Sequence, residues 1–271
     1  MAHKTLIDST GYEVKSGRVL IAGTGYDIKK GRTLIDGTGY DIKFDVPVGE
    51  LPVGSSVYMN VDGSRREFII VQQGNPNPAI YDASCDGTWV LQKHIYTTVM
   101  WRNYASPPSY VIYYQDSTAL SHLNNTVLKS FDAGIQDIIR QVKIPCLQAG
   151  YSDIRYGANG LSVKLFQLST REVTGDTQNT LENDGTQLDF FRVNPQESAR
   201  IAYKNGTATE WWLRSHRYGK YMSGSLKTFM FIQTNGYFAS IDEPNQLYGE
   251  RYAMILPFEA MADSDFNIIP S

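Results

Sequence analysis

The sequence predicts an α+β protein: a mixed, mostly antiparallel sheet with two or more short helices, preceded by a small all-β repeat segment. Three observations carry the prediction. A phrase of 14 residues is written three times within the first 44. From Ser55 onward, short apolar runs of strand length alternate with turn residues. Helical periodicity of any weight is confined to one stretch, Ser117 to Val142.

The repeats come first. Thr5-Leu6-Ile7-Asp8-Ser9-Thr10-Gly11-Tyr12 returns as Val19-Leu20-Ile21-Ala22-Gly23-Thr24-Gly25-Tyr26 and as Thr33-Leu34-Ile35-Asp36-Gly37-Thr38-Gly39-Tyr40. A strict short period marks one small unit stacked on copies of itself. Thr33-Leu34-Ile35 is β-prone, Asp36-Gly37 is a tight-turn pair, and Tyr40-Asp41-Ile42-Lys43 alternates like a half-buried strand. Lys30-Gly31-Arg32 is read as the next reversal. A two-stranded hairpin is marginal in water, and open strand edges invite pairing. The segment 1–44 is therefore expected to anchor or oligomerise the chain through Leu6, Ile7, Tyr12, Leu20, Ile21, Tyr26, Leu34, Ile35 and Tyr40. Its partners would be other copies or a neighbouring protein.

Residues 45–54 hold Pro47, Pro52, Gly49 and Gly54, and are read as a linker without regular structure. The domain 55–271 then opens with strands at Ser56–Met59 and Arg66–Val71, joined by a turn at Asp62-Gly63-Ser64. Trp89–Lys93 is a third strand. In the helical stretch Asp116 or Ser117 is the cap, Leu120, Leu123, Val127 and Leu128 form one apolar stripe, and Ile135, Ile138, Ile139 and Val142 form a second. Gly134 is expected to separate two short helices. Leu161 to Leu168 alternates as a strand, and Thr170 to Thr180 is a short helix or loop. Trp211–Arg214, Thr228–Ile232, Tyr237–Ile241 and Tyr252–Phe258 are strands, with a turn at Asn235-Gly236. Strand geometry sends neighbouring side chains to opposite faces, so one of Trp211 and Trp212 is expected in the core and the other on the loop side.

Composition narrows the function classes. Hydrophobic residues make up 42% and charged residues 20%, ordinary globular values. Net charge is −3 and no Lys/Arg run exceeds two residues, so the concentrated basic face of a nucleic-acid binder is not visible. No stretch approaches the roughly 20 apolar residues that span a bilayer. The N-terminus lacks the apolar core of a secretory signal. Cys85 and Cys146 are the only cysteines, too few for a disulfide framework or metal cluster, and are expected reduced. The 18 tyrosines suit a recognition surface, because Tyr presents a wide apolar face and a polar tip. They suit β-strands equally.

The chain from about Val53 to Phe258 resembles the bacterial and phage domain of unknown function 6273, a domain grouped with the C-type-lectin-like fold. The resemblance lies in Trp89-Val90-Leu91, Ser121-His122-Leu123-Asn124-Asn125, Val163–Ser169, Phe231–Gly236 and above all Glu210-Trp211-Trp212-Leu213-Arg214-Ser215. The closing strand departs from the family, with Tyr252-Ala253-Met254 where an Arg-Pro-Ala phrase is usual. The repeats resemble short Leu-Ile-Asp-Gly-Thr-Gly-Tyr-Asp-Ile units at the ends of virion proteins from phages of Gram-positive hosts. The resemblance implies a C-type-lectin-like domain displayed on a virion, presenting a loop-rich face to a host surface.

The expected ligand-binding set is Arg217, Tyr218, Lys220, Tyr221, Tyr237, Asn245 and Tyr248. His216–Tyr221 alternates basic and aromatic groups on a glycine-containing loop. Such a loop stacks a sugar ring and bonds its hydroxyls, or buries Tyr in a protein partner. Arg214 is read as tying down a carboxylate or carbonyls. Glu243-Pro244-Asn245 spells the calcium phrase of true C-type lectins, but its Trp-Asn-Asp companion is missing and only Glu250 is close in sequence. No metal site and no cofactor are assigned. The four histidines have no paired metal spacing, and neither a nucleophile elbow nor a phosphate loop is present. No catalytic residue is assigned and the chain is not read as an enzyme. The cysteines also miss the spacing of the formylglycine-generating enzymes that share the lectin-like fold.

The expectation is a phage virion protein made in the host cytoplasm: a tail-tip, fibre or surface-displayed receptor-binding protein. Its partners are other virion proteins through the repeats and a host-surface glycan or protein. It is expected to be a homo-oligomer, a trimer by analogy with fibres, with no nucleic acid and no membrane insertion. The alternative is a capsid decoration, head-fibre or baseplate protein whose loops touch only virion partners.

Overall fold

The computed structural model describes residues 45–102, 113–149, 152–217 and 228–270, together with the backbone of six strands between residues 3 and 43. Those six are β1 (His3–Ile7), β2 (Thr10–Val14), β3 (Arg18–Ile21), β4 (Thr24–Asp27), β5 (Lys30–Ile35) and β6 (Thr38–Lys43). They form three antiparallel hairpins. The register repeats with the sequence: Leu6 faces Gly11, Leu20 faces Gly25 and Leu34 faces Gly39. The reading of two strands in each unit therefore stands, and the turn residues between them lie outside the described residues. The reversal placed at Lys30-Gly31-Arg32 does not, because all three residues lie in β5, where Lys30 pairs with Lys43. The oligomerisation residues sit on these strands, and their side chains lie outside the described residues.

The remainder is α+β, mostly antiparallel. Its elements are β7 (Val46–Pro47), β8 (Ser56–Val61), β9 (Ser64–Gln73), β10 (Thr88–Gln92), β11 (Thr98–Met100), α1 (Thr118–His122), α2 (Ala133–Ile138), β12 (Val142–Ile144), β13 (Cys146–Leu147), β14 (Ile154–Arg155) and β15 (Leu161–Val163). There follow α3 (Thr170–Thr174), α4 (Asp189–Val193), β16 (Ala202–Lys204), β17 (Thr207–Thr209), β18 (Trp211–His216), β19 (Phe229–Ile232), β20 (Phe238–Ile241), β21 (Leu247–Gly249), β22 (Ala253–Leu256) and β23 (Met261–Ala262). One sheet has the order β22-β10-β9-β8 and a second β11-β21-β18-β19-β20.

The four-stranded sheet divides two apolar cores. Trp89 and Leu91 of β10 join Ala253 and Ile255 of β22 on one side, with Trp101, Phe166, Trp211 and Trp212. Val90, Met254 and Leu256 point to the other side, where Phe68, Leu123, Phe131 and Tyr252 pack. Period-two geometry makes this sorting automatic. Strands buried on both faces read as continuous apolar runs, as β10 and β22 do.

The joint 45–54 is part of the fold, contrary to its reading as an unstructured linker. β7 pairs with β23, and Val48 is fully buried and bonds the carbonyl of Ala260 at 2.8 Å. Two prolines kept the segment out of a long element. They did not keep it out of the core.

The helical stretch breaks one turn earlier than Gly134. Ser117 caps α1 by accepting from the Leu120 amide. After His122 the helix widens into a π turn over Leu123–Val127. Phe131 is then extended and bridges Val61 of β8, so the chain restarts at Asp132 and Gly134 lies inside α2. Val142, expected to be helical, opens β12. The strand expected over 161–168 ends at Val163. From Leu165 to Leu168 every residue is buried, and the backbone of Lys164 and Leu165 bonds the Asn124 carboxamide rather than a neighbouring strand.

Candidate functional site

The Trp-Trp-Leu-Arg-Ser phrase builds the core. Every side chain of β18 is buried, because both faces of the strand are covered. Trp211 and Trp212 are both fully buried, so the expectation that one of them faces the loop side is corrected. Their indole N–H groups donate to the carbonyls of Arg200 and Val99. The Arg214 guanidinium donates two bonds of 2.6 Å to Glu172 and others to the carbonyls of Pro145 and Gln167. Tying down a carboxylate and carbonyls is thus what Arg214 does. Glu172 also closes a capping box with Ser169 at the start of α3 and accepts from the Tyr81 hydroxyl at 2.7 Å. Ser215 donates to Asp184, whose carboxyl burial raises to about 6. Cys85 and Cys146 are buried free thiols, and burial pushes Cys85 up to about 12.

Of the seven expected ligand-binding residues, four fall among the described residues. Arg217 is half-buried and donates to the Ser240 hydroxyl at 3.2 Å. Tyr218, Lys220 and Tyr221 lie outside the described residues. Tyr237 is 56% exposed after the turn at Asn235-Gly236. Asn245 is exposed in the turn before β21. Tyr248 lies against the rings of Trp212 and Phe231, 4.5 and 4.7 Å between centroids. No hydrogen bond or ring contact joins Arg217, Tyr237, Asn245 and Tyr248 to one another among the described residues. In the Glu-Pro-Asn phrase, Glu243 accepts from Gln246 at 2.6 Å. Glu250 is engaged elsewhere.

A cleft of about 440 Å³ opens at the edge of the four-stranded sheet. Its walls come from the β8–β9 hairpin, from α1 with its widened turn, and from the segments around Tyr96 and Glu250. Backbone bonds hold these together: Gln92 to Tyr252 at 2.9 Å, Glu250 to Thr97 at 3.0 Å, and Asp62 to Ser130 at 2.8 Å. Glu250 is fully buried, and His122 Nδ1 lies 2.9 Å from both of its carboxylate oxygens. Its carboxylate raises the His122 pKa. The Arg66 guanidinium stacks on Tyr96, 3.7 Å from the ring centre, a favourable cation–π geometry. Two residues lining the cleft each hold a buried side-chain oxygen with no hydrogen-bond partner, Gln92 Oε1 and Tyr252 Oη. Buried polar groups are normally satisfied; Ser264 Oγ, beside a second concavity near Tyr58 and Arg65, is likewise unpartnered, but this cleft holds two such groups.

Sequence reasoning missed this site. His122 and Glu250 are 128 positions apart, and a pair so separated leaves no local spacing to read. His122 does fall within a phrase that carries the family resemblance, and Gln92 directly after another.

These features define a mostly antiparallel α+β domain with aromatic-rich cores and a polar cleft. A family model described as a domain of unknown function (DUF6273) matches residues 86–258, and the chain belongs to that family. No curated protein and no solved structure matches the chain. The match takes in Gln92, Tyr96, His122, Glu250 and Tyr252. The β8–β9 wall with Asp62 and Arg66 precedes it.

Proposed function

We propose that this chain is a phage virion protein that recognises a host-surface glycan or protein without covalent chemistry. The hairpins attach it to the particle or to other copies. The α+β domain, read as C-type-lectin-like, faces outward as a tail-tip, fibre or surface-displayed receptor-binding module. The observation that carries this reading is the N-terminal segment. Three hairpins share one register, and among the described residues no strand pairing joins one hairpin to the next. Each leaves two strand edges to be paired, and so small a unit gains stability from neighbours. Repeated display lets weak individual contacts add through effective concentration.

The test is adhesion. Full-length chain, labelled and offered to host cells and purified wall glycans, should bind both to them and to particles that lack it. Docking on particles with no affinity for host material would replace this reading by a capsid-decoration, head-fibre or baseplate role.

A further inference from the structure

We propose that the cleft between the β8–β9 hairpin and α1 binds a neutral polyhydroxylated ligand, a saccharide of about one or two rings, with Gln92 and Tyr252 bonding its hydroxyls. The assignment rests on the recognition reading above and names the ligand class and the residues that would serve it.

Three features of the cleft lead to this class. The first is hydrogen-bond polarity. Gln92 Oε1 only accepts, and the Tyr252 hydroxyl both donates and accepts. Both residues are nearly fully buried, 3% and 2% exposed. A carboxylate has no proton for Gln92, whereas a sugar hydroxyl supplies one and accepts from Tyr252 with its own oxygen. The second is charge. Asp62 and Glu250 are balanced by Arg66 and Lys129 around the cleft, and His122 is paired with Glu250. A ligand of strong net charge meets no matching field and would lose its hydration without compensation. The third is shape. The volume of about 440 Å³ lies within the range of small-ligand sites, about 300–1,000 Å³. The π turn at Leu123–Val127 opens one wall, and wide turns of this kind recur at functional sites.

An unpartnered buried polar atom destabilises the free protein. A binding role therefore predicts opposite effects on stability and affinity. Full-length chain is titrated with glucose, galactose, N-acetylglucosamine and maltose at up to about 10 mM, above the millimolar Kd that a few hydroxyl bonds supply, and binding is read by saturation-transfer NMR. Galacturonate and inorganic phosphate serve as anionic comparators. At least one neutral saccharide should bind, and the anions should not displace it. Tyr252→Phe and Gln92→Met should each raise its Kd tenfold or more while raising Tm by about 2–4 °C.

Binding of none of the neutral sugars, binding of the anions alone, or affinity unchanged in both variants overturns the assignment. Host-cell adhesion is measured in parallel. Adhesion without saccharide binding overturns the cleft assignment alone. Saccharide binding without adhesion upholds the cleft and overturns the host-recognition reading.

Discussion

Glu172 and Arg214 are both fully buried, and each satisfies the other with two bonds of 2.6 Å. Bidentate geometry makes such a pair viable, yet its net stabilisation is small because both charges leave water. Breaking one side is different in kind, since it strands a buried charge. Glu172→Gln should lower the unfolding free energy by about 3–5 kcal/mol, seen as a reduced urea midpoint with an unchanged m-value. The pair at the cleft behaves differently because one partner is a histidine and both pKa values are raised. Its His122 pKa is raised, chiefly by the hydrogen bond to Glu250, and burial raises Glu250 as well. A base whose folded pKa exceeds its unfolded value contributes stability that is complete below about pH 6.5 and is lost as pH rises through the folded value. The raised carboxyl acts with the same sign. Tm should therefore fall as pH rises above about 6.5, and the neutral double variant His122→Gln/Glu250→Gln should flatten that slope in thermal melts. Single residues of this kind were only half legible. Arg214 advertised itself by standing in a dense aromatic strand. Glu250 drew notice only as a neighbour of the Glu-Pro-Asn phrase, because its partner His122 is on a distant helix.

Local elements were legible where one physical rule governed them and illegible where tertiary contacts overrode it. The turn at Asp62-Gly63 and the strands β8 and β9 followed from alternation and turn chemistry, and the cap at Ser117 from its side chain. The end of β15 did not follow, because alternation persists in the sequence after the strand has ended. Asn124 decides the outcome. Its carboxamide oxygen accepts from the amides of Lys164 and Leu165, and its NH₂ donates to the Leu165 carbonyl at 2.9 Å. A helix side chain thus takes the place of a strand partner and fastens the widened turn of α1 to the segment after β15. The break before α2 has a similar origin, since Phe131 leaves the helix to bridge Val61 and fill the second core. Asn124→Ala removes these three bonds and a fourth to the Leu120 carbonyl, and leaves their backbone partners behind. It should lower stability by about 2–3 kcal/mol, checked by chemical denaturation. Hydrogen exchange should quicken at Lys164 and Leu165 beyond the change at β10, because the opening is local.

At the scale of the whole molecule, two kinds of structure meet at residue 45. Beyond it, the chain buries two cores on either side of one sheet, and β7 is sewn to β23, so the α+β domain closes on its own residues. Before it, each hairpin is a separate two-stranded sheet. The same alternation of strand and turn letters was readable in both parts. What it left out is which part can stand by its own burial, since that depends on how many strands share a face. Two-stranded sheets bury too little to be independently stable, and a repeat array gains its stability from stacked interfaces. Copies of the repeat on other chains are the simplest source of such interfaces. Removal of residues 1–44 should therefore convert an oligomer into a monomer that still unfolds cooperatively, because both cores and the β7–β23 pair are built from residues beyond 45. The measurement is solution mass by light scattering on the full chain and the truncated one, paired with thermal melts of both. An unchanged subunit number after truncation would place the association surface in the α+β domain instead. The hairpins would then have no part in assembly, and the anchoring role that their unpaired edges support would have to be withdrawn.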